Sequence, residues 1–188
     1  MKKNIITLVV CALALGYTAF AQASSDIRKV DFLNANYTTS ACTGSPTTIK
    51  LTAGKLSSSD GMLYEVRKDE LAYGDITYDG IEDAVVMIRC AANTLRGFEI
   101  FLFTSDNGKP RMITHFTSDD VAKDYQKFRP NGTLQYAGEN GPFIVDESIA
   151  VEALTDGSFA APAYTTIFAY KFAKGGFTLD GKPALKKR

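Results

Sequence analysis

From Met62 to Thr117 the apolar residues recur at the short period of strands, in five runs broken by turn residues. The runs are "MLYEVR" (Met62–Arg67), "LAYGDITY" (Leu71–Tyr78), "IEDAVVMIRCAA" (Ile81–Ala92), "GFEIFLFTS" (Gly97–Ser105) and "KPRMITHFT" (Lys109–Thr117). Their β-branched and aromatic side chains suit a pleated, half-buried surface. The connections are too short for parallel crossovers, so the spacing predicts an antiparallel meander. One segment changes period. In "TSDDVAKDYQKFRPNG", Val121, Tyr125 and Phe128 fall at i, i+4 and i+7, on one face of a helix. Ser118 is its predicted N-cap, Asp119 and Asp120 fill the first turn, and Lys127 and Arg129 the last. Pro130 and Gly132 end it. A second short helical pattern lies in "DIRKVDFLNANY". The chain then returns to strands: "PFIVDESIAVEAL" (Pro142–Leu154) holds one or two, and "YTTIFAYKFAKGGFTL" (Tyr164–Leu179) predicts a hairpin turning at Gly175-Gly176. The expected fold class is α+β, predominantly antiparallel β, a single sheet-based domain with one or two short helices.

The first residues follow another logic. Lys2 and Lys3 precede the apolar run Ile5–Phe20, and small residues follow at Ala19, Ala21 and Ala23. This is the order of a secretory signal peptide, residues 1–23, cleaved after Ala23 or alternatively after Ala21. The run is shorter than the roughly 20 residues of a bilayer span. "LVVC" at Cys11 makes a poor lipobox, because Val10 stands where a small residue belongs and the apolar run continues past the cysteine. Residues 24–188 are then one exported β-rich domain, periplasmic or secreted, long enough for a sizeable core.

Removing Lys2 and Lys3 from 21 basic residues leaves nineteen against 21 acidic ones, a formal charge of −2. No concentrated basic face points to nucleic acid, and the basic tail "KPALKKR" reads as a solvated terminus. No second apolar segment is long enough to span a membrane.

Two cysteines remain after the leader, Cys42 in "TSACTGS" and Cys90 in "MIRCAAN". In an oxidising compartment such a pair is expected to bond. Closing a loop of about 48 residues stabilises by roughly 3–4 kcal/mol in the chain-entropy account. A reactive cysteine would need an electropositive, partly exposed setting, often within C-x-x-C, and neither cysteine lies in such a motif.

The stretch "YGDITYDGIEDAVV" (Tyr73–Val86) admits two readings. Asp75, Thr77, Asp79, Ile81 (through its carbonyl) and Asp83 fall at alternate positions, as ligands wrapped around calcium would. The EF-hand form fails, since Val86 stands where a bidentate Glu is required. The spacing is similar to the D-x-[DN]-x-D-G-x-x-D loop of FG-GAP repeats, with Thr77 departing from it. One copy cannot make a propeller. The other reading is a two-residue type I′ hairpin at Asp79-Gly80 that projects Asp75, Thr77 and Asp83 to solvent.

His115 is the single histidine. No second histidine and no cysteine cluster support a zinc site, and alternation with Met112 and Thr114 makes His115 a sheet residue before a general base. Neither a phosphate loop nor a dinucleotide fingerprint is present. Twelve phenylalanines and nine tyrosines belong to core and sheet surface.

"VDFLNANYTTSACTGSPTTIKL" (Val30–Leu51) followed by "YGDITYDGIEDAVVMIRC" (Tyr73–Cys90) resembles the LppP/LprE-type group of bacterial exported proteins. The late "FAAPAYTTIFAYKFAKGGFTL" is similar to their closing strand pair. The resemblance implies a single exported β-rich domain with Cys42 and Cys90 placed to form a disulfide, and carries no established reaction. The chain departs from the group in lacking a good lipobox, and in having Ala160 and Ala161 where some members place cysteines. The expected function is a non-enzymatic domain binding a protein or cell-envelope component through sheet edges and loops. The alternatives are a calcium-stabilised binding module and a hydrolase whose carboxylates are scattered along the chain.

Overall fold

In the computed structural model, which describes residues 27–93, 95–137, 141–157 and 161–188, fourteen strands and one α-helix appear. The predicted signal peptide and Cys11 lie outside the described residues. All strand pairings are antiparallel among the described residues, so the structure is strand-rich with a single α-helix, as the hydrophobic pattern predicts.

The most apolar run explains the layering. Strand β6 (Asp83–Ala92) is buried from Asp83 to Cys90, so both its faces are covered. Val85 and Met87 face one core; Ala84, Val86, Ile88 and Cys90 face another. Continuous burial on two faces is what an unbroken "AVVMI" demands. β6 pairs with β7 (Leu95–Asp106), and β7 with β8 (Lys109–Thr117). Two short strands share the other edge of β6: β5 (Ala72–Gly74) and β4 (Leu63–Glu65), the latter also pairing with β3 (Lys55–Ser57).

The first core lies between this sheet and a second one. There β11 (Ser148–Thr155) and β12 (Tyr164–Ala173) form the centre. β9 (Leu134–Ala137) and β10 (Phe143–Val145) share one edge, and β13 (Gly176–Leu179) and β14 (Ala184–Lys187) the other. β13 lies against β8 and β10 against β5, which closes the two sheets around Phe98, Ile100, Leu102, Val151 and Phe168. The second core, on the opposite face of β6 and β7, is covered by the N-terminal segment and the hairpin of β1 (Asn36–Thr39) with β2 (Thr47–Lys50). No helix among the described residues is long and apolar enough to cross a membrane.

Helix α1 (Ser118–Phe128) buries Val121 and Tyr125 and packs Phe128 against the first core, the three positions its periodicity selects. Its N-cap is Thr117 rather than Ser118. The Thr117 hydroxyl accepts from Asp120 N at 3.4 Å while the Asp120 carboxylate accepts from Thr117 N at 3.0 Å. A capping box needs its acid three residues after the cap, and only Thr117 has one there. The late hairpin turns at Lys174-Gly175, one residue earlier than predicted, with Ala173 opposite Gly176. Both turn residues have positive φ, 54° and 80°, as a type I′ turn requires. This register sets Phe177 opposite Phe172 and against Phe116; a one-residue slip would turn its ring out of the core. The pattern in "DIRKVDFLNANY" forms two 3-10 turns, Ile27–Lys29 and Phe32–Asn34, the second capped by Asp31. "PFIVDESIAVEAL" holds two strands, β10 and β11.

Candidate functional site: the cleft over the Cys42–Cys90 bridge

The aspartate loop departs from the two-residue hairpin. Strand β5 stops at Gly74, Gly74 pairs with Asp83, and eight residues intervene. Asp83 is fully buried rather than solvent-facing. Its Oδ2 accepts from Ile76 N (3.0 Å), Thr77 N (2.9 Å) and Thr77 Oγ1 (3.0 Å). These bonds draw the chain inward so that Ile76 enters the first core, which breaks the ladder before Asp79-Gly80 can close it. Burial pushes the Asp83 carboxyl up, partly offset by hydrogen bonds from Thr77, Thr104 and Ile76. Asp75 accepts from Asp79 N (3.1 Å) through Oδ1 and from Gly80 N (2.9 Å) through Oδ2, and Asp79 Oδ1 accepts from Ile81 N at 2.8 Å. The carboxylates thus fold the loop by serving its own amides. Among the described residues no three His, Cys, Asp or Glu side chains converge as a metal-holding group.

A second constellation is assembled from distant parts of the chain. Cys42 and Cys90 form the expected disulfide, with a 6.0 Å Cα separation. Cys90 is buried on β6, opposite Gly97 of β7. The approach there is close: a Cβ at Gly97 would meet Cys42 Sγ and Ser118 Oγ at 3.2 Å and Cys90 Sγ at 3.4 Å, so its neighbours would have to give by a few tenths of an ångström.

Two residues along β7 from Gly97, Glu99 turns a fully buried carboxylate toward the segment that delivers Cys42. Its Oε2 accepts from Thr39 Oγ1 (2.6 Å), Ser40 N (2.8 Å) and Ala41 N (3.2 Å). Its Oε1 meets Nδ1 of His115, whose ring stacks on Phe101 at 5.7 Å and is 46% exposed. A carboxylate at Nδ1 selects the tautomer that carries the proton there. His115 is therefore a sheet residue, as its alternation predicts, and also the outer partner of a buried acid.

Above the bridge lies a cleft of about 290 Å³, lined by residues 40–42, Gly44, residues 95–97, the first residues of α1 and Lys123. The disulfide and Gly97 form part of its wall. Leu95 stands 45% exposed at its rim. Arg96 and Lys123 bring positive charge, with Asp119 opposing them; Arg96 donates to the carbonyls of Asn93 and Leu95, and Lys123 pairs with Asp120 at 3.2 Å.

Sequence reasoning singled out Cys42, Cys90 and His115 but missed Glu99, Gly97 and the cleft. It also missed the bidentate pair of Arg89 with Glu70, both nearly buried at the first core. No family model, curated protein or solved structure matches this chain.

Proposed function

We propose that residues 24–188 are a single exported domain, periplasmic or secreted, that acts without catalysis by binding a protein or cell-envelope component at the cleft over Cys42–Cys90. The observation that carries this reading is a concavity with an exposed apolar rim residue, Leu95, beside the cations Arg96 and Lys123. Rigid aromatic or aliphatic anchors seated in such concavities dominate binding energies. The disulfide and the resemblance to LppP/LprE-type proteins support export. An intact mass beginning at Ser24 is expected for the exported protein. A photo-crosslinking residue at Leu95, in cells that export the protein, is expected to give a discrete adduct that the same residue at Lys187 does not. Equal patterns at the two positions would remove the cleft from the reading.

A calcium-stabilised module is the second reading, favoured by one feature of the loop: Asp83 Oδ1 is buried and takes no hydrogen bond of ordinary geometry. Thermal unfolding in EDTA and then in millimolar calcium separates the two. A cation at hundredfold excess over its Kd adds about 2.7 kcal/mol of stability. Because the loop is already folded by its own amides, the midpoint is expected to stay where it is. A rise that Asp79→Ala abolishes would establish the calcium module instead.

A further inference from the structure

We propose that the Cys42–Cys90 disulfide is a thiol-exchange site, attacked at Cys42 from the cleft by an anionic thiol or dithiol. The two sulfurs are not equivalent. Cys42 lines the cleft, whereas Cys90 is buried on β6 and is not part of its lining. A thiolate entering the cleft therefore meets Cys42 Sγ first. The surroundings are those that favour thiolate chemistry, namely a helix N-terminus and nearby cations. Ser118 opens α1, and its Oγ shares with both sulfurs the close shell around Gly97. That oxygen accepts from Phe98 N at 3.4 Å, which leaves its own proton to donate to a leaving sulfur. Arg96 and Lys123 line the approach; Asp119 is the opposing charge, and Glu99 lies behind Ser40 and Ala41 with its carboxylate already held by three donors.

The step balances without any further reactant. The incoming thiolate forms a bond to Cys42 Sγ, the Sγ–Sγ bond breaks, and its electron pair leaves on Cys90 Sγ. With a monothiol the product is a mixed disulfide at Cys42 and a Cys90 thiolate. With a dithiol the second sulfur displaces Cys42, so the reagent is oxidised by two electrons and both cysteines are reduced, taking their protons from water. Cys42 holds a positive φ of 62°, a conformation rare for a residue with a side chain, and opening the bridge would free it to relax. This inference goes beyond the binding reading, because exchange at Cys42 requires no bound protein or envelope component.

The test treats the folded, oxidised protein with reduced glutathione and maps the adduct by peptide mass, while near-UV circular dichroism follows the fold. An adduct on Cys42 that forms with the native spectrum retained is the expected result. An adduct on Cys90, or one that appears only as the spectrum is lost, would overturn the proposal and leave a purely structural bridge. Arg96→Glu/Lys123→Glu changes only exposed positions and is expected to slow exchange with anionic glutathione roughly tenfold, while exchange with neutral 2-mercaptoethanol slows less. Equal slowing of both reagents, or none, would count against attack through the cleft.

Discussion

Replacing Glu99 by alanine is expected to destabilise the protein by about 3–5 kcal/mol, seen as a lower urea midpoint at unchanged slope. The side chain is fully buried, and one of its oxygens satisfies Thr39 Oγ1, Ser40 N and Ala41 N together. Removing it takes the acceptor from Thr39 Oγ1 and Ser40 N, while Ala41 N keeps the Thr39 hydroxyl at 3.1 Å; each buried group left unsatisfied costs about 1–3 kcal/mol before any relaxation. The damage should be local at first. Thr39, Ser40 and Ala41 lead directly into Cys42, so the lining of the cleft loosens together with the stability. Glu99→Gln retains an acceptor of the same shape and should cost less than half as much. His115→Gln should cost under about 1 kcal/mol, because the glutamine amide can donate to Oε1 of Glu99 in place of Nδ1. A Glu99→Ala loss no larger than that of His115→Gln would mean that the carboxylate is not what holds residues 39–41.

The same residue shows how much of the site the sequence displayed. In "GFEIFLF" Glu99 shares its strand face with Phe101 and Phe103, and in "VVMIRC" Arg89 shares its face with Val85 and Met87. A charge at an apolar position of a long buried strand signals a buried partner, yet it does not say where in the chain the partner lies. Those partners sit far away, at residues 39–41 for Glu99 and at Glu70 for Arg89. The long strands and the helix were legible because their own periodicity determines which face is buried. Short strands such as "NYTT", "KLS" and "ALKK" carry almost no period and form because a longer neighbour offers an edge. The hairpin reading of Asp79-Gly80 fails for a related reason. Local turn chemistry favoured a tight hairpin, but Asp83 captured the amides of Ile76 and Thr77 and outweighed it. The cleft joins four segments separated by up to about eighty residues, and only Cys42, through its partner, marked the place.

Arg89→Ala should be as damaging as Glu99→Ala, about 3–5 kcal/mol, for the complementary reason that it strands a buried anion. Arg89 grips Glu70 with two bonds, Nη2 at 2.6 Å and Nε at 3.0 Å, and Arg67 adds a third contact at 3.4 Å. The pair stands where β4 ends and β5 has not begun, because β4 pairs with β6 at residues 89–91 and β5 at residues 83–85. Glu70 thus ties the connecting 3-10 turn Lys68–Glu70 to β6 across the gap. Gly141 lies directly against the Glu70 side chain, where a Cβ would meet its Cγ. The energetics of a buried ion pair then predict an asymmetric double-mutant cycle. Either single truncation is severe, while Glu70→Leu with Arg89→Met should recover most of the loss, since apolar replacements of similar volume remove both desolvation penalties together. Salt separates this pair from a surface one. The cost of Arg89→Ala should persist in 1 M salt, whereas any contribution of the exposed Arg28–Glu82 pair, 58% and 39% accessible, should fade as the screening length falls to about 3 Å. An Arg89→Ala penalty that disappears in salt would place the pair in solvent, and the link between β4 and β5 would then rest on the backbone ladder alone.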